Sequence, residues 1–183
     1  GQLRLLRLLP VPRLMAATIT LQQLTGSGPT ATNIAVSPLL FGTDDSYNAG
    51  SSYLVLRPAS GTNYSYETTI RAYASGTFTS LSNWKFYTDG ANGLGTGLGL
   101  AVKALTQASY SQASGTQGQT ATQISGASDA FGYTSGSPLS LTGSISSAGA
   151  GSVQYVRAQA SVASTASAGT SSSETLTLQW DES

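Results

Sequence analysis

Apolar and polar positions alternate with a period of two in short runs from residue 16 onward. Clusters of Gly, Ser, Asn and Pro separate these runs, and such clusters are typical of turns between β-strands. The runs that predict strands are 17–24, 32–37, 52–58, 64–74, 77–88, 98–106, 140–146, 152–162 and 174–180. No segment shows a sustained apolar stripe at the helical period of about 3.6 residues. The pattern therefore predicts an all-β fold, a β-sandwich (Ig-like or jelly-roll-like) of many short antiparallel strands.

Two of these strands are expected to supply large side chains to the core. Trp84 and Phe86 lie two residues apart and share one face of their strand. Leu176, Leu178 and Trp180 share one face of the last strand in the same way. We therefore expect these five side chains to be buried between the two sheets.

Two segments, 107–130 and 163–173, have weak patterns. A structureless loop as long as the first is uncommon in a compact domain, so this segment could instead hold a pair of polar strands.

The first 14 residues differ from the rest, because they are rich in Leu and Arg. The predicted organisation is an N-terminal arm or extension at 1–14, followed by a single β-sandwich domain at 15–183 that opens with Met15. Pro10 and Pro12 deny the arm a long helix and keep its connection to the domain extended. The segment is either an upstream extension without a role or an apolar arm that docks on a neighbouring subunit. In the second interpretation the subunit contacts are Leu3, Leu5, Leu6, Leu8 and Leu9.

Composition excludes several classes of function. The chain has eight basic and eight acidic residues, so it lacks the basic surface that binding to nucleic acid requires. It has no Cys and no His, which removes the dominant ligands of zinc sites and every Ser-His-Asp or Cys-His catalytic arrangement. No apolar run reaches the roughly 20 residues of a membrane helix. The composition predicts a protein with no enzymatic activity, metal or cofactor, and no nucleic-acid or membrane partner.

The glycine-rich stretch 86–100, FYTDGANGLGTGLGL, is the most distinctive local motif. It does not complete the G-x-G-x-x-G pattern of dinucleotide-binding loops, because leucine occupies the third glycine position from either possible start. A calcium loop would need several oxygen ligands, and Asp89 is the one carboxylate here. We expect a turn in which the glycines let the chain run close against a neighbouring segment.

Asp44 and Asp45 form an adjacent acidic pair. Neighbouring residues on a strand point to opposite faces, which is poor geometry for a catalytic acid and base. With Asn48 nearby, the segment could hold a cation, but an Asx-type loop is the favoured interpretation.

Tyrosines cluster in the first half of the chain, at Tyr47, Tyr53, Tyr64, Tyr66 and Tyr73. They could form an aromatic face that stacks sugars or nucleobases. The favoured interpretation is structural, since tyrosine is a common strand residue that packs its ring and keeps its hydroxyl wet.

A family resemblance rests on three stretches: FGTDD at 41–45, SYETTIRAYASGTFTSLSNWKFYTDGANGLGTG at 65–97, and the closing TASAGTSSSETLTLQWDES at 165–183. Together they resemble a group of small virion structural proteins of tailed bacteriophages. The resemblance spans roughly residues 15–183 and leaves out the first 14 residues. Trp180 stands where tyrosine is commoner in that group, and the group carries no catalytic residues to transfer.

The resemblance implies a non-enzymatic virion protein that decorates or cements the capsid, or that builds the neck or tail, through multivalent subunit contacts. Its partners would be copies of itself and other virion proteins, and its location the virion. Two alternatives stay open: a receptor- or glycan-binding tail module whose partner is a cell-surface glycan, and a filament subunit that assembles by β-strand addition.

Overall fold

The computed structural model describes residues 16–28, 30–33, 39–47, 53–106, 110–167 and 171–183. These residues form ten strands and one 3₁₀ turn, Ala130–Gly132. The strands are β1 (Thr18–Thr25), β2 (Thr30–Asn33), β3 (Thr62–Tyr64), β4 (Thr68–Ser75), β5 (Leu81–Tyr87), β6 (Leu98–Leu105), β7 (Ser128–Asp129), β8 (Leu139–Leu141), β9 (Tyr155–Ala163) and β10 (Thr177–Glu182). The predicted all-β class is confirmed, and no helix in the described part of the chain is long and apolar enough to span a bilayer.

The strands form two antiparallel sheets. The larger has seven strands in the order β2-β1-β4-β9-β6-β7, with β3 also paired to β9. The smaller has three strands in the order β10-β5-β8. The longest strand, β9, pairs with β6 along one edge and with β3 and β4 in succession along the other. The architecture is thus a β-sandwich, as the strand pattern predicts.

One apolar core fills the space between the sheets. Strand β4 contributes alternate residues from its inner face, and β5, β6 and β9 supply the larger partners. Its most deeply buried members include Ala74, Leu81, Trp84, Phe86, Val102, Ile145, Val156 and Ala158. Burial of Trp84 and Phe86 is confirmed.

The last strand contributes less than expected. Leu176, Leu178 and Trp180 pack against the core but remain partly exposed. The reason is the position of β10 at the edge of the smaller sheet, where no described strand covers its far side. Trp180 nevertheless stacks on Trp84, with ring centroids 5.6 Å apart.

A β-bulge shapes the centre of the smaller sheet. The pairing of β5 with β10 shifts register here, because β5 carries one extra residue. Asn83 adopts a left-handed backbone with φ of 54°, and its side-chain amide donates to Asp181 Oδ2 at 2.8 Å. Leu81 and Trp84, three residues apart, can therefore both face the core.

The outer face of the larger sheet is polar and is covered in part by the segment 110–125. Arg157 on β9 is 4% exposed; it pairs with Glu67 and donates to Ser111 O at 3.0 Å. Gln159, also on β9, donates to Thr122 O at 2.9 Å and accepts from the Ile124 backbone N–H. These contacts hold 110–125 against the sheet without any strand pairing.

Three predicted elements differ from the structure. The predicted strand 52–58 is wrong, because the described residues 53–58 pair with no strand and Tyr53 lies in a turn. The run 64–74 contains a break at residues 65–67, where the Tyr66 N–H donates to Gly42 O instead of to a neighbouring strand. The proposed polar strands within 107–130 reduce to the two residues of β7. The arm at 1–14 and residues 34–37 of a further predicted strand lie outside the described residues.

Candidate functional site

The segment 53–58 carries three of the four exposed large hydrophobic side chains of the described residues. Leu54 is 55% exposed and Leu56 is 69% exposed, whereas Val55 between them is half-buried. The two leucines, two positions apart, therefore both face solvent. They form, with the backbone of 53–58, a surface that we call the leucine edge.

Contacts at both ends hold the leucine edge in place. The Thr43 N–H and hydroxyl both donate to Tyr53 O, at 2.6 and 2.9 Å. Asn63 Nδ2 donates to Leu56 O at 2.8 Å, and the Arg57 guanidinium donates to Ala166 O at 3.2 Å. The backbone N–H groups of 54–56 have no hydrogen-bond partner among the described residues. The edge is thus an exposed apolar segment that is held at both ends.

A polar cleft of about 280 Å³ lies at the end of the larger sheet where β1 ends and β4 begins. Its walls come from the bend at 43–46, from Tyr66 just before β4, and from the segment 112–117. The lining residues are Asp44, Asp45, Ser46, Tyr66, Gln112, Ala113, Gly115 and Gln117. We call this the Asp-Tyr cleft.

The two carboxylates line the same cleft, which corrects the expectation that they point to opposite faces. That expectation assumed a strand, whereas residues 43–46 form a bend. Asp44 is buried and accepts a hydrogen bond from the Ser46 hydroxyl, while Asp45 Oδ2 accepts from the Gly26 N–H at 3.1 Å. Neither bond is of the Asx type, because the donor to Asp44 is a side-chain hydroxyl and the donor to Asp45 lies 19 positions away in the chain.

Tyr66 is the one aromatic residue among the described residues that line the Asp-Tyr cleft. The residue is 5% exposed; its hydroxyl bonds to no described residue and is not one of the buried polar atoms that lack a partner, so it keeps contact with solvent. Burial, with the negative charges of Asp45 and Asp44, raises the pKa of Tyr66 above its ordinary value of 10.0. Its hydroxyl is therefore protonated at neutral pH and can donate as well as accept.

Neighbouring bonds fix the shape of the cleft. Gly118 N–H donates to Thr43 O at 2.8 Å, which ties the segment 112–118 to the bend. Tyr110 Oη donates to Gly26 O at 2.7 Å, so the β1 turn is held from the same side. A Cβ added to Gly115 would lie 2.6 Å from Tyr66 Oη, and glycine is therefore required for this close approach.

The glycine-rich loop after β5 is a structural turn, as predicted. It carries the chain from the smaller sheet to β6 in the larger one. Gly97 has φ of 75°, and a Cβ there would lie 2.5 Å from the Ala166 backbone nitrogen. Asp89 Oδ1 accepts from the Ala91 N–H at 2.9 Å within the loop. Among the described residues, no three His, Cys, Asp or Glu side chains gather as metal ligands.

The tyrosines do not form one aromatic face. Tyr53 is 40% exposed on the leucine edge, and Tyr66 is buried in the cleft wall. Tyr73 lies on the outer face of β4, where the Arg71 guanidinium sits 5.6 Å from its ring centroid. Tyr64 donates to Gln123 Oε1 at 3.2 Å. Asn48 and the five arm leucines (Leu3, Leu5, Leu6, Leu8 and Leu9) lie outside the described residues.

The sequence interpretation missed both surfaces. One local signal, Pro58, indicates that the segment with Leu54 and Leu56 is not a central strand, because proline has no backbone N–H to donate to a neighbouring strand. The cleft residues at 112–117 carry no periodic pattern at all. Comparison with protein-family models, with curated proteins and with solved structures finds no match.

Proposed function

We propose that this protein is a non-enzymatic structural component of a tailed-phage virion. It decorates or cements the capsid, or forms part of the neck or tail, by contacts with its own copies and with other virion proteins. The observation that carries the proposal is the leucine edge, an apolar segment that is held at both ends and that no described strand covers. The motif resemblance across residues 15–183 supplies the virion context.

The chemistry of the leucine edge favours a protein partner. Exposed leucines on a fixed backbone lose little further entropy when another chain covers them, and burying each one is worth about 1.5–3 kcal/mol. The free N–H groups of 54–56 allow the partner to add an extended strand. An uncovered surface of this kind invites aggregation in a free monomer. It is useful in a subunit that is always assembled.

Repetition makes a small contact sufficient. Two leucines and a few backbone hydrogen bonds bind weakly in a single pair of subunits. When many copies are fixed on one particle, each further contact forms at a high effective concentration, so weak contacts add up through avidity. The few charges of the chain, 9% of residues, suit tight packing between identical copies.

Quantitative mass spectrometry of particles purified from the source of this sequence tests the proposal. We expect the chain in every particle preparation, in a fixed ratio to the major capsid protein. A high ratio identifies a decoration protein, and a low one a neck or tail component. Absence of the chain from purified particles would overturn the proposal.

A reconstitution assay tests the leucine edge itself. The double variant Leu54→Ser/Leu56→Ser removes the apolar contact at two exposed positions, so folding should be unaffected. We expect it to lose most of its binding to particles that lack the protein. Tyr73→Ser, which removes an exposed aromatic residue from the outer face of β4, is the matched control and should bind as the wild type does. Equal binding by the double variant would show that the edge is not the contact.

The N-terminal arm is proposed as a second contact. Three leucines docked on a neighbour would supply about 5–9 kcal/mol, enough to offset much of the entropy of ordering the arm. Deletion of residues 1–14 should then lower the affinity for the particle without changing the melting temperature. Unchanged affinity would leave the arm without a role.

A further inference from the structure

We propose that the Asp-Tyr cleft is a binding site for a neutral sugar, with Tyr66, Asp44 and Asp45 as its hydrogen-bonding groups. The inference does not depend on the proposed virion role, because it follows from the polar groups that the cleft brings together.

The Tyr66 hydroxyl is the first argument for a ligand. Its ring is packed so deeply that the residue is 5% exposed. The hydroxyl bonds to no described residue, and it is not one of the buried polar atoms that lack a partner, so it reaches solvent at the cleft. The packed ring therefore holds a donor and acceptor at the cleft wall, where a ligand can bond to it without displacing a protein partner.

The mixture of donors and acceptors is the second argument. Asp44 and Asp45 supply acceptors, whereas the amides of Gln112 and Gln117 supply both donors and acceptors. Sugar hydroxyls satisfy such a set, since each one can donate one hydrogen bond and accept others. Two carboxylates without a lining cation repel an acidic sugar, so the ligand is neutral. A volume of about 280 Å³ is also far larger than the shell of oxygen atoms that surrounds a bare cation at about 2.3–2.6 Å.

Tyr53 provides an aromatic surface beside the cleft. Its ring is 40% exposed and lies next to Gly118, where a Cβ would be 3.7 Å from Tyr53 Cδ1. Gly118 directly follows the lining residue Gln117. Tyr53 also has φ of 60°, an uncommon conformation for a residue with a bulky side chain. A strained backbone that holds an exposed aromatic ring beside polar groups is a typical feature of a binding site.

Saturation-transfer NMR of the full chain with single sugars tests the proposal. The probes are glucose, galactose, mannose and N-acetylglucosamine, each at about 10 mM, a concentration that detects the millimolar affinity expected of a few hydrogen bonds. Glucuronic acid is the matched acidic probe. We expect saturation transfer to at least one neutral sugar and none to glucuronic acid. No transfer to any of the four sugars, or equal transfer to glucuronic acid, would overturn the proposal.

Variants separate binding from folding. Tyr66→Phe should leave the melting temperature unchanged, because the hydroxyl has no partner to lose, and it should weaken binding about three- to tenfold. Tyr87→Phe, on β5 of the other sheet, is the matched control and should bind as the wild type does. Gly115→Ala places a methyl group against the Tyr66 hydroxyl and should also weaken binding. Wild-type affinity in both Tyr66→Phe and Gly115→Ala would show that the sugar binds elsewhere.

Discussion

Replacing Trp84 with alanine tests whether the two sheets depend on one central side chain. Trp84 is 1% exposed and stacks on Trp180 across the pair formed by β5 and β10. Truncation of a buried Trp typically costs about 3–5 kcal/mol, through lost transfer free energy and the cavity left behind. The Trp84 indole N–H also donates to Leu81 O at 3.2 Å, but that oxygen keeps a second donor, the Ile145 N–H. The lost hydrogen bond therefore adds about 1 kcal/mol at most.

We expect Trp84→Ala to lower the free energy of unfolding by about 5 kcal/mol, a large part of the 5–15 kcal/mol of a typical domain. Urea unfolding followed by circular dichroism measures this change. Trp180→Ala should cost less, about 2 kcal/mol, because Trp180 is only partly buried. A double-mutant cycle should give a coupling energy of about 0.5–1.5 kcal/mol for the stacked pair. A Trp84→Ala protein of near-native stability would refute the argument and make Trp84 a surface residue.

Four further predictions follow from particular contacts. Asn83→Ala should lower the free energy of unfolding, measured in urea, by about 1–2 kcal/mol, because alanine disfavours the left-handed backbone and loses the hydrogen bond to Asp181. Asn83→Gly should lower it less, because glycine adopts this backbone without strain. Equal losses in the two variants would contradict the role of Asn83 in the bulge. Glu67→Ala should lower the free energy of unfolding by about 3 kcal/mol or more, because it leaves the buried Arg157 without its ion pair. Arg157→Met should lower it less, because it removes the buried charge itself. A larger loss in Arg157→Met than in Glu67→Ala would contradict this prediction. Burial raises the pKa of Tyr110 above 10.0, so the native state holds this proton more tightly than the unfolded chain does, and stability falls as pH rises above about 10. Tyr110→Phe should lessen that fall, which is measured as the melting temperature at a series of pH values. An unchanged dependence on pH in the variant would count against the prediction. Chelator treatment should leave the melting temperature unchanged, and a drop restored by calcium would contradict the expected absence of a metal requirement.

Most of the fold could be predicted from the sequence because the alternation of apolar and polar residues that marks a strand is a local pattern. Alternation in segments such as 98–106 and 152–162 reports a buried face directly, and the structure places β6 and β9 there. The segment 53–58 shows the limit of this signal. Its pattern is that of a strand, but pairing depends on whether a partner reaches it, and local sequence does not encode that.

The two surfaces depend on contacts between distant residues, and periodicity does not report these. Asp44 and Asp45 face one cleft because Thr43 is tied to both Tyr53 and Gly118, 10 and 75 positions away in the chain. The segment 110–125 has no pattern of its own, and it is ordered by polar side chains of β9 such as Gln159. A buried glutamine of this kind is indistinguishable in sequence from an exposed one.

The central claim is that the protein functions as an assembled structural subunit whose leucine edge is covered by another chain. Electron cryomicroscopy of the intact particle tests this most directly. We predict density for the sandwich at symmetry-related positions, with Leu54 and Leu56 buried against a neighbouring polypeptide. A particle reconstruction in which every copy leaves residues 53–58 facing solvent, or which contains no copy at all, would contradict the account.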